Sequence, residues 1–363
     1  MFKQKRKGRQ NMTKITFDFD KNKVKESIEK GARGKWWQRK GIKAKNFKYV
    51  DINGVRITDE QHLQRIKSLA IPPAWRHVRI APSAHSKIQA IGMDTSGRIQ
   101  YLYNPKFRAI QELKKFQKIE KFGVHLPKLR TITNEHIALE GFPREKVLAV
   151  MMRLINSLYI RMGSTKSVKQ YRTFGITTLQ NRHLLIERGG KLIFNFVGKH
   201  HVEHRKILVD KELAVIMQDL KNIGGARKLF NYLDENGKAH PVKAKDINEY
   251  LKQITAPEFS AKDFRTWGGT LLAALELAEI GVATEEKTLK KNILKAVKKV
   301  AEQLGNTPTV CRGSYIHPTV LKSYEAGITL DQFTAKRRRQ IKRIYEEFEP
   351  EEIALMKLFQ SVA

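Results

Sequence analysis

Cysteine is almost absent from this chain: Cys311 stands alone among 363 residues. No internal disulfide can form, so the fold rests on burial and hydrogen bonding, and the chain fits a reducing compartment. Long apolar runs are missing as well. The most apolar window, Leu271 to Ala283, is broken by Glu276 and Glu279, so no stretch reads as a membrane span. The basic start, Met1 to Gln10, has no apolar segment behind it and does not read as a secretory signal. There is no internal repeat and no low-complexity tract. Acidic residues are scarce: 36 Asp and Glu stand against 70 Lys and Arg, a formal net charge of +34. Such a surplus suits a polyanion, and duplex DNA is the densest one in a cell. RNA, a ribosome or a merely solubilising surface fit the charge alone equally well. The expectation is a monomer working in the cytosol on the nucleoid.

What is present reads as globular. Hydrophobic residues at 41% and charged residues at 29% separate the chain from disordered sequences, and its length allows two or three domains. Residues 1–30 are polar and Lys-rich and read as a loose basic arm. Order is expected from Trp36 and Trp37. Phe47, Tyr49 and Asp51 lead into Asn53-Gly54, a hairpin turn pair. Thr58 is placed to cap a helix from Asp59, with Gln61 completing a capping box, and Pro72-Pro73 ends that stretch. Strands over Lys87–Asp94 and Arg98–Asn104 follow. Asn104 then caps a helix with Pro105 at its first position and Ile110, Leu113 and Phe116 on one face. Beyond it the pattern turns helical: 143–160, 211–223, 244–254, 265–280 and 286–304, and again from Asp331. A short β island, His183 to Val209, interrupts with turns at Gly189-Gly190 and Gly198-Lys199. The reading is α+β: a β-rich N-terminal domain over 31–115 and a mainly helical domain with a short sheet over 116–363.

The segments that carry chemistry lie in that second domain. Arg161-Met162-Gly163 precedes Tyr171 and Thr173-Phe174-Gly175. Val197-Gly198-Lys199 lies on the β island. Lys262-Asp263-Phe264-Arg265-Thr266-Trp267-Gly268-Gly269 opens a helix. Last come Gly305-Asn306-Thr307-Pro308 and Ser314-Tyr315-Ile316-His317-Pro318. The order Arg, Lys, Arg, a polar hydrogen-bonder, then Tyr resembles that of the bacterial and poxvirus-like type IB topoisomerases. The resemblance covers roughly residues 35 to 330. In the N-terminal module it includes Leu69-Ala70-Ile71-Pro72-Pro73-Ala74-Trp75 and Gly97-Arg98-Ile99-Gln100-Tyr101. It implies a tyrosine recombinase/topoisomerase IB-like fold closing on duplex DNA as a clamp, with no cofactor, metal or small-molecule ligand required.

The resemblance also assigns roles. Tyr315 attacks the phosphodiester and stores it as a 3′-phosphotyrosine, so resealing needs no ATP. Arg161 and Arg265 flank the phosphate; guanidinium donates a planar pair of hydrogen bonds and stays charged. Lys199 protonates the departing 5′ oxygen. Asn306 stands where poxvirus and nuclear members have His and bacterial members have Asn, and it can help only by hydrogen bonding. Gln100, Tyr101, Tyr103, Lys262 and His200 are candidate DNA contacts.

Each of these residues alone has a plainer reading. Arg161 at a helix end would meet the macrodipole favourably. Lys199 would be a solvated turn lysine. Arg265 at a helix start would be mildly unfavourable, which favours a function. Lys262 either backs up the proton transfer or is a surface lysine. Tyr101, Tyr103 and Gln100 read DNA edges or form an ordinary sheet face. His200, His201 and His204, with no cysteine or acidic cluster nearby, fit phosphate contact or solvent exposure better than zinc. Two rivals remain. A tyrosine recombinase shares the Arg-Lys-Arg-Tyr logic but typically has His where Lys262 stands, and places its Tyr closer to the second Arg. A non-enzymatic DNA-compacting protein would need the charge but no ordered phosphate site.

Overall fold

The computed structural model describes residues 21–32, 35–223, 227–333 and 349–361, and the chain divides into two compact units at Leu113/Lys114. The first unit contains α1 (Lys21–Gly31), β1 (Trp37–Lys40), β2 (Lys48–Val50), α2 (Glu60–Ser68), β3 (Arg76–Ile80), β4 (Ile88–Met93) and β5 (Ile99–Tyr103). Helix α3 (Pro105–Val124) carries the dividing point. The five strands pair antiparallel in the order β2-β1-β3-β4-β5. Trp37, Ile66, Val78, Ile80 and Ala90 form one small core.

Several local expectations shift. Residues 1–20 of the expected basic arm lie outside the described residues, but 21–31 form a helix. Ile28 is buried with Ile91 and Met93, and Glu29 pairs with Arg79. One buried isoleucine among lysines gives no apolar period, so the sequence does not advertise this helix. The Asn53-Gly54 turn is present: Asp51 Oδ1 accepts from Asn53 N and Val55 N, and Gly54 takes φ +83. The next helix is capped by Asp59, not Thr58; its carboxylate accepts from His62 N at 2.7 Å. Strand β3 was not expected, because a register shift between Arg76 and Arg79 and a positive φ at His77 interrupt its alternation. Asn104 caps α3 through Lys106 N. Only the later half of that stripe buries: Phe116, Ile119 and Phe122 are inside, whereas Ile110 and Leu113 are 50% and 64% exposed. An i, i+3, i+6 spacing drifts around the helix and does not by itself make a core face.

The second unit holds the rest of α3, then α4 (Leu126–Ile137), α5 (Arg144–Leu158) and α6 (Thr165–Tyr171). A three-stranded antiparallel sheet follows, ordered β6 (Leu184–Glu187), β7 (Lys191–Val197) and β8 (Glu203–Val209). After it come α7 (Lys211–Leu220), the small pair β9 (Asn231–Leu233) and β10 (Ala239–Pro241), and α8 (Ala244–Ile254). The remaining helices are α9 (Ala261–Ile280), α10 (Glu286–Leu304), α11 (Pro308–Ser314), α12 (Pro318–Glu325) and α13 (Pro350–Ser361). The class is α+β, as expected. The stretch from Asp331 that was expected to be helical lies partly outside the described residues. Within them, Asp331 and Gln332 sit in a single 3-10 turn and not in the expected α-helix, while α13 is locked by a two-pronged pair from Arg130 to Glu352, both contacts 2.7 Å.

Helix α9 is the axis of this unit. It is buried on nearly every side from Ala261 to Leu277, and the buried residues include Asp263, Arg265, Thr266, Thr270 and Glu276. Trp267 lies so close to Gly123 of α3 that a Cβ there would come within 2.4 Å of the indole. Burying one such large side chain contributes roughly 1.5–3 kcal/mol. Among the described residues no helix is long and apolar enough to cross a membrane.

Candidate active site

The site is built on the end of α10. Gly305 takes φ +58, and the N–H groups of Gly305 and Asn306 turn back onto Glu302 and Ala301. That closure leaves the carbonyls of Gln303, Leu304 and Gly305 to be satisfied by side chains. Three cations from three different elements take them. Lys206 of β8 donates to Gln303 O. Arg265 of α9 donates to Leu304 O at 2.7 Å and also to Tyr159 O. Arg161, just past α5, donates to Leu304 O and Gly305 O at 3.3 Å each and to Asn306 Oδ1. The macrodipole contact anticipated for Arg161 therefore exists at another helix: α5 ends at Leu158, and the carboxyl end that meets the guanidinium is that of α10. Arg265 does not begin its helix either; α9 starts four residues earlier, at Ala261.

Tyr315 is fixed by the same central helix. Thr307 caps α11, with Pro308 at its first position, and Tyr315 follows the last residue, Ser314. Gly269 leaves the room: a Cβ there would stand 2.7 Å from Tyr315 O and 3.2 Å from Tyr315 Cβ. Its neighbour Gly268 makes the same space for the ring of Tyr159. At the next position after Gly269, Thr270 Oγ1 donates to Thr266 O at 2.7 Å and accepts from His317 N at 3.0 Å, which pins the chain after Tyr315. The Arg265 guanidinium carbon lies 5.2 Å from the Tyr315 ring centroid. Both arginines interact with the phenol, and that interaction partly offsets the effect of burial on each guanidinium.

A small cleft opens beside these groups, lined by Arg161, Lys199, His204, Lys206 and Arg265 together with Tyr159, Phe174 and Phe196. Among the described residues no carboxylate lines it. Burial, and then Arg161 beside it, pushes Arg265 down to about 10. Burial, then Arg265 and Arg161, pushes Lys206 down to about 8. Two buried donors, Arg265 Nε and Asn306 Nδ2, have no hydrogen-bond partner. Cations crowd this cleft, and among the described residues no acid side chain lines it, so its electrostatics suit an anion.

The structure thus brings together Arg161, Arg265, Asn306 and Tyr315 around the end of α10, with Lys199 on the cleft rim. Lys262 is exposed one turn before Arg265 and does not line the cleft. His200 is exposed at the β7–β8 hairpin tip, also outside the lining. Gln100, Tyr101 and Tyr103 belong to the other unit. Gln100 donates to Asp94 at 2.9 Å, and the two tyrosines, 43% and 48% exposed, stack with centroids 6.2 Å apart. Among the described residues no group of three or more His, Cys, Asp or Glu could hold a metal ion. Sequence reasoning missed Lys206 and the part played by His204. The available signal was the two-residue period of β8, which puts His204 and Lys206 on the same inward face as Leu208.

The chain is similar to known proteins over most of its length. Residues 104–344 match the family described as the catalytic core of eukaryotic DNA topoisomerase I. Residues 46–94 match the N-terminal domain of bacterial DNA topoisomerase IB. The DNA topoisomerase 1B of Acanthamoeba polyphaga mimivirus is 32% identical over 286 residues, covering 77% of this chain and 84% of that protein. The DNA topoisomerase 1B of vaccinia virus (strain Copenhagen) is 26% identical over 252 residues, 68% of this chain and 76% of its own. Among solved structures, the XerH site-specific recombinase bound to difH aligns with a TM-score of 0.34 at 12% identity, covering 55% of this chain and 50% of that one; no argument rests on that alignment.

Proposed function

Because this chain belongs to the type IB DNA topoisomerase family, we propose that its cleft seats the scissile phosphodiester of duplex DNA and that Tyr315 is the nucleophile. The phenolate oxygen bonds to phosphorus and the P–O5′ bond breaks. The electron pair of that bond goes to the 5′ oxygen, which takes a proton from Lys199. The 3′-phosphotyrosine stores the bond while the free end swivels, and the 5′ hydroxyl then reverses the step without ATP. Arg161 and Arg265 donate to the non-bridging oxygens where charge builds up, and the unused N–H groups of Arg265 and Asn306 are available to the same oxygens.

The observation that carries this reading is the convergence of Arg161, Arg265, Asn306 and Tyr315 on one helix end beside a cleft that, among the described residues, no carboxylate lines. In the same reading Gln100, Tyr101 and Tyr103 contact DNA from the N-terminal unit. His200 and Lys262 contact the backbone, Lys262 also serving as a reserve proton donor. The enzyme acts as a monomer on the nucleoid in the cytoplasm. The test is incubation with supercoiled plasmid in EDTA without ATP, together with denaturant trapping on a suicide duplex. A ladder of relaxed topoisomers is expected, with a covalent adduct that Tyr315→Phe abolishes while still binding DNA. An adduct that persists in Tyr315→Phe would place the nucleophile elsewhere.

A further inference from the structure

His204 is half-buried and lines the cleft. A Cβ on Gly198 would lie 2.6 Å from its Cδ2 and Nε2, and a Cβ on Gly305 would lie 2.2 Å from its Cε1. The imidazole is therefore in contact with two backbones at once. One is the residue immediately before Lys199 and the other the residue immediately before Asn306. Phe196 stacks against it with ring centroids 5.0 Å apart. Two residues along the same face of β8, Lys206 holds Gln303 O, so the strand grips the end of α10 at two points. Gly198 has an ordinary φ of −94, so nothing but space for the ring requires a glycine there.

We infer that His204 is a positioning residue, a flat spacer that sets the distance between the Lys199 hairpin and the Asn306 turn. This rests on the roles proposed for Lys199 and Asn306. Lys199 lies at an exposed hairpin tip, and what reaches the leaving oxygen depends on how that hairpin is referenced to the phosphate side. The ring acts by shape. Burial, then Lys206, Arg161 and Arg265 around it, pushes the imidazole down to about 4, so it is neutral at working pH and adds no charge to the cluster. Displacement of reacting groups by about an ångström can cost on the order of 100-fold in rate.

The experiment uses the full chain on a suicide duplex, measuring DNA affinity and the single-turnover cleavage rate. Wild type must form the adduct and Tyr315→Phe must not; if that fails, the functional reading itself falls. Given that control, His204→Ala is expected to keep affinity within about twofold and to cleave on the order of 10–100-fold more slowly. His204→Phe, which keeps a flat ring without a titratable nitrogen, is expected to recover most of the rate. Gly198→Ala, which intrudes on the ring in the wild type, should cost far less in the His204→Ala background, so the two losses combine non-additively. On a duplex with a 5′-bridging sulfur, whose thiolate leaves with little protonation, the His204→Ala loss should shrink. Wild-type cleavage by His204→Ala, equal slowness of His204→Phe and His204→Ala, full additivity with Gly198→Ala, or an undiminished loss on the sulfur duplex would each overturn the inference. An altered far-ultraviolet circular dichroism spectrum and lost DNA affinity identify a variant that has not folded, and His204→Phe then decides the matter.

Discussion

The two sheets use an edge strand in opposite ways. In the N-terminal sheet, edge strand β5 turns Tyr101 and Tyr103 to solvent as a stacked pair, while its neighbour β4 is buried from Gln89 to Met93. In the second sheet, edge strand β8 turns Glu203, Arg205, Ile207 and Val209 outward and keeps His204, Lys206 and Leu208 half-buried. The first edge offers polar and aromatic groups to a partner. On the second, Lys206 turns inward and donates to the backbone of α10, with His204 packed beside it. Substitutions on β5 should therefore change how tightly DNA is held, and substitutions around β8 and the end of α10 should change how fast it is cut.

The largest effect expected from that contrast lies in the site itself. Lys199→Ala should slow single-turnover cleavage by about 10²–10⁴, and Arg161→Ala or Arg265→Ala by about 10²–10³, all with DNA affinity changed far less. The leaving atom separates the roles. A thiolate leaves readily because thiol pKa values lie near 8.5, so a 5′-bridging sulfur should rescue much of the Lys199→Ala defect. The arginine variants should remain slow on both duplexes, because the non-bridging oxygens need their charge whatever departs. Equal slowing of Lys199→Ala on both substrates would move the acid role to Lys262.

These residues stand out in the sequence only through the resemblance to the type IB topoisomerases, whose order Arg, Lys, Arg, a polar hydrogen-bonder, Tyr they repeat; none of them declares itself alone. Arg161 stands two before Gly163, Arg265 stands before the Gly268-Gly269 pair, and Tyr315 follows Asn306 by nine positions across a proline-capped turn. What they bind was not legible. The carbonyls of Gln303, Leu304 and Gly305 are the end of a helix whose sequence shows only a charged amphipathic pattern, and the cations that meet them come from segments about 40 to 145 residues away. The same tertiary origin hid α1, which docks through Ile28 and the Glu29–Arg79 pair, and β3, whose bulge breaks the strand period. His204 and Lys206 could be seen only by asking which residues share a strand face with Leu208.

Of intermediate size is the effect at the other edge. Tyr101→Ala with Tyr103→Ala removes an exposed stacked pair without opening a core. DNA affinity should fall on the order of tenfold, equivalent to about 1.4 kcal/mol, while cleavage at saturating DNA stays within about twofold. Equilibrium binding and single-turnover assays on one duplex check both numbers. A loss of saturating rate comparable to that of the site variants would erase the distinction between the two edges.

A smaller effect follows from the charge buried on β8. Lys206 is pushed down to about 8 by burial and by Arg265 and Arg161, while in the unfolded chain a lysine keeps its proton to about pH 10.4. Between those values the unfolded state binds more protons, so stability rises with pH. The penalty for charging Lys206 is thus fully present below pH 8 and is relieved as pH climbs toward 10. Lys206→Met removes the penalty along with the bond to Gln303 O. The melting temperature of the wild type minus that of the variant should therefore grow between pH 7.5 and 10. A constant or shrinking difference would mean that Lys206 is not strained by its surroundings.

The smallest effect probes the hairpin that carries Lys199. His200 and His201 both take left-handed backbone angles, φ +64 and +58. A side chain in that region costs roughly 1–2 kcal/mol, and two adjacent cases at the tip of a β7–β8 hairpin are unusual for residues other than glycine. Glycine at position 201 would relieve one of these strains but would also loosen the unfolded chain by roughly 0.5–1 kcal/mol. The net should be a stabilisation under about 1 kcal/mol, a rise of roughly 2 °C or less for a chain of this size. If the strained tip exists to aim Lys199, the freer hairpin of His201→Gly should nonetheless cleave a few-fold more slowly at unchanged DNA affinity, and the deficit should vanish on the sulfur duplex. A variant that is both more stable and equally fast on the oxygen duplex would show that the tip geometry is idle, leaving His204 at the hairpin base as the device that aims the lysine.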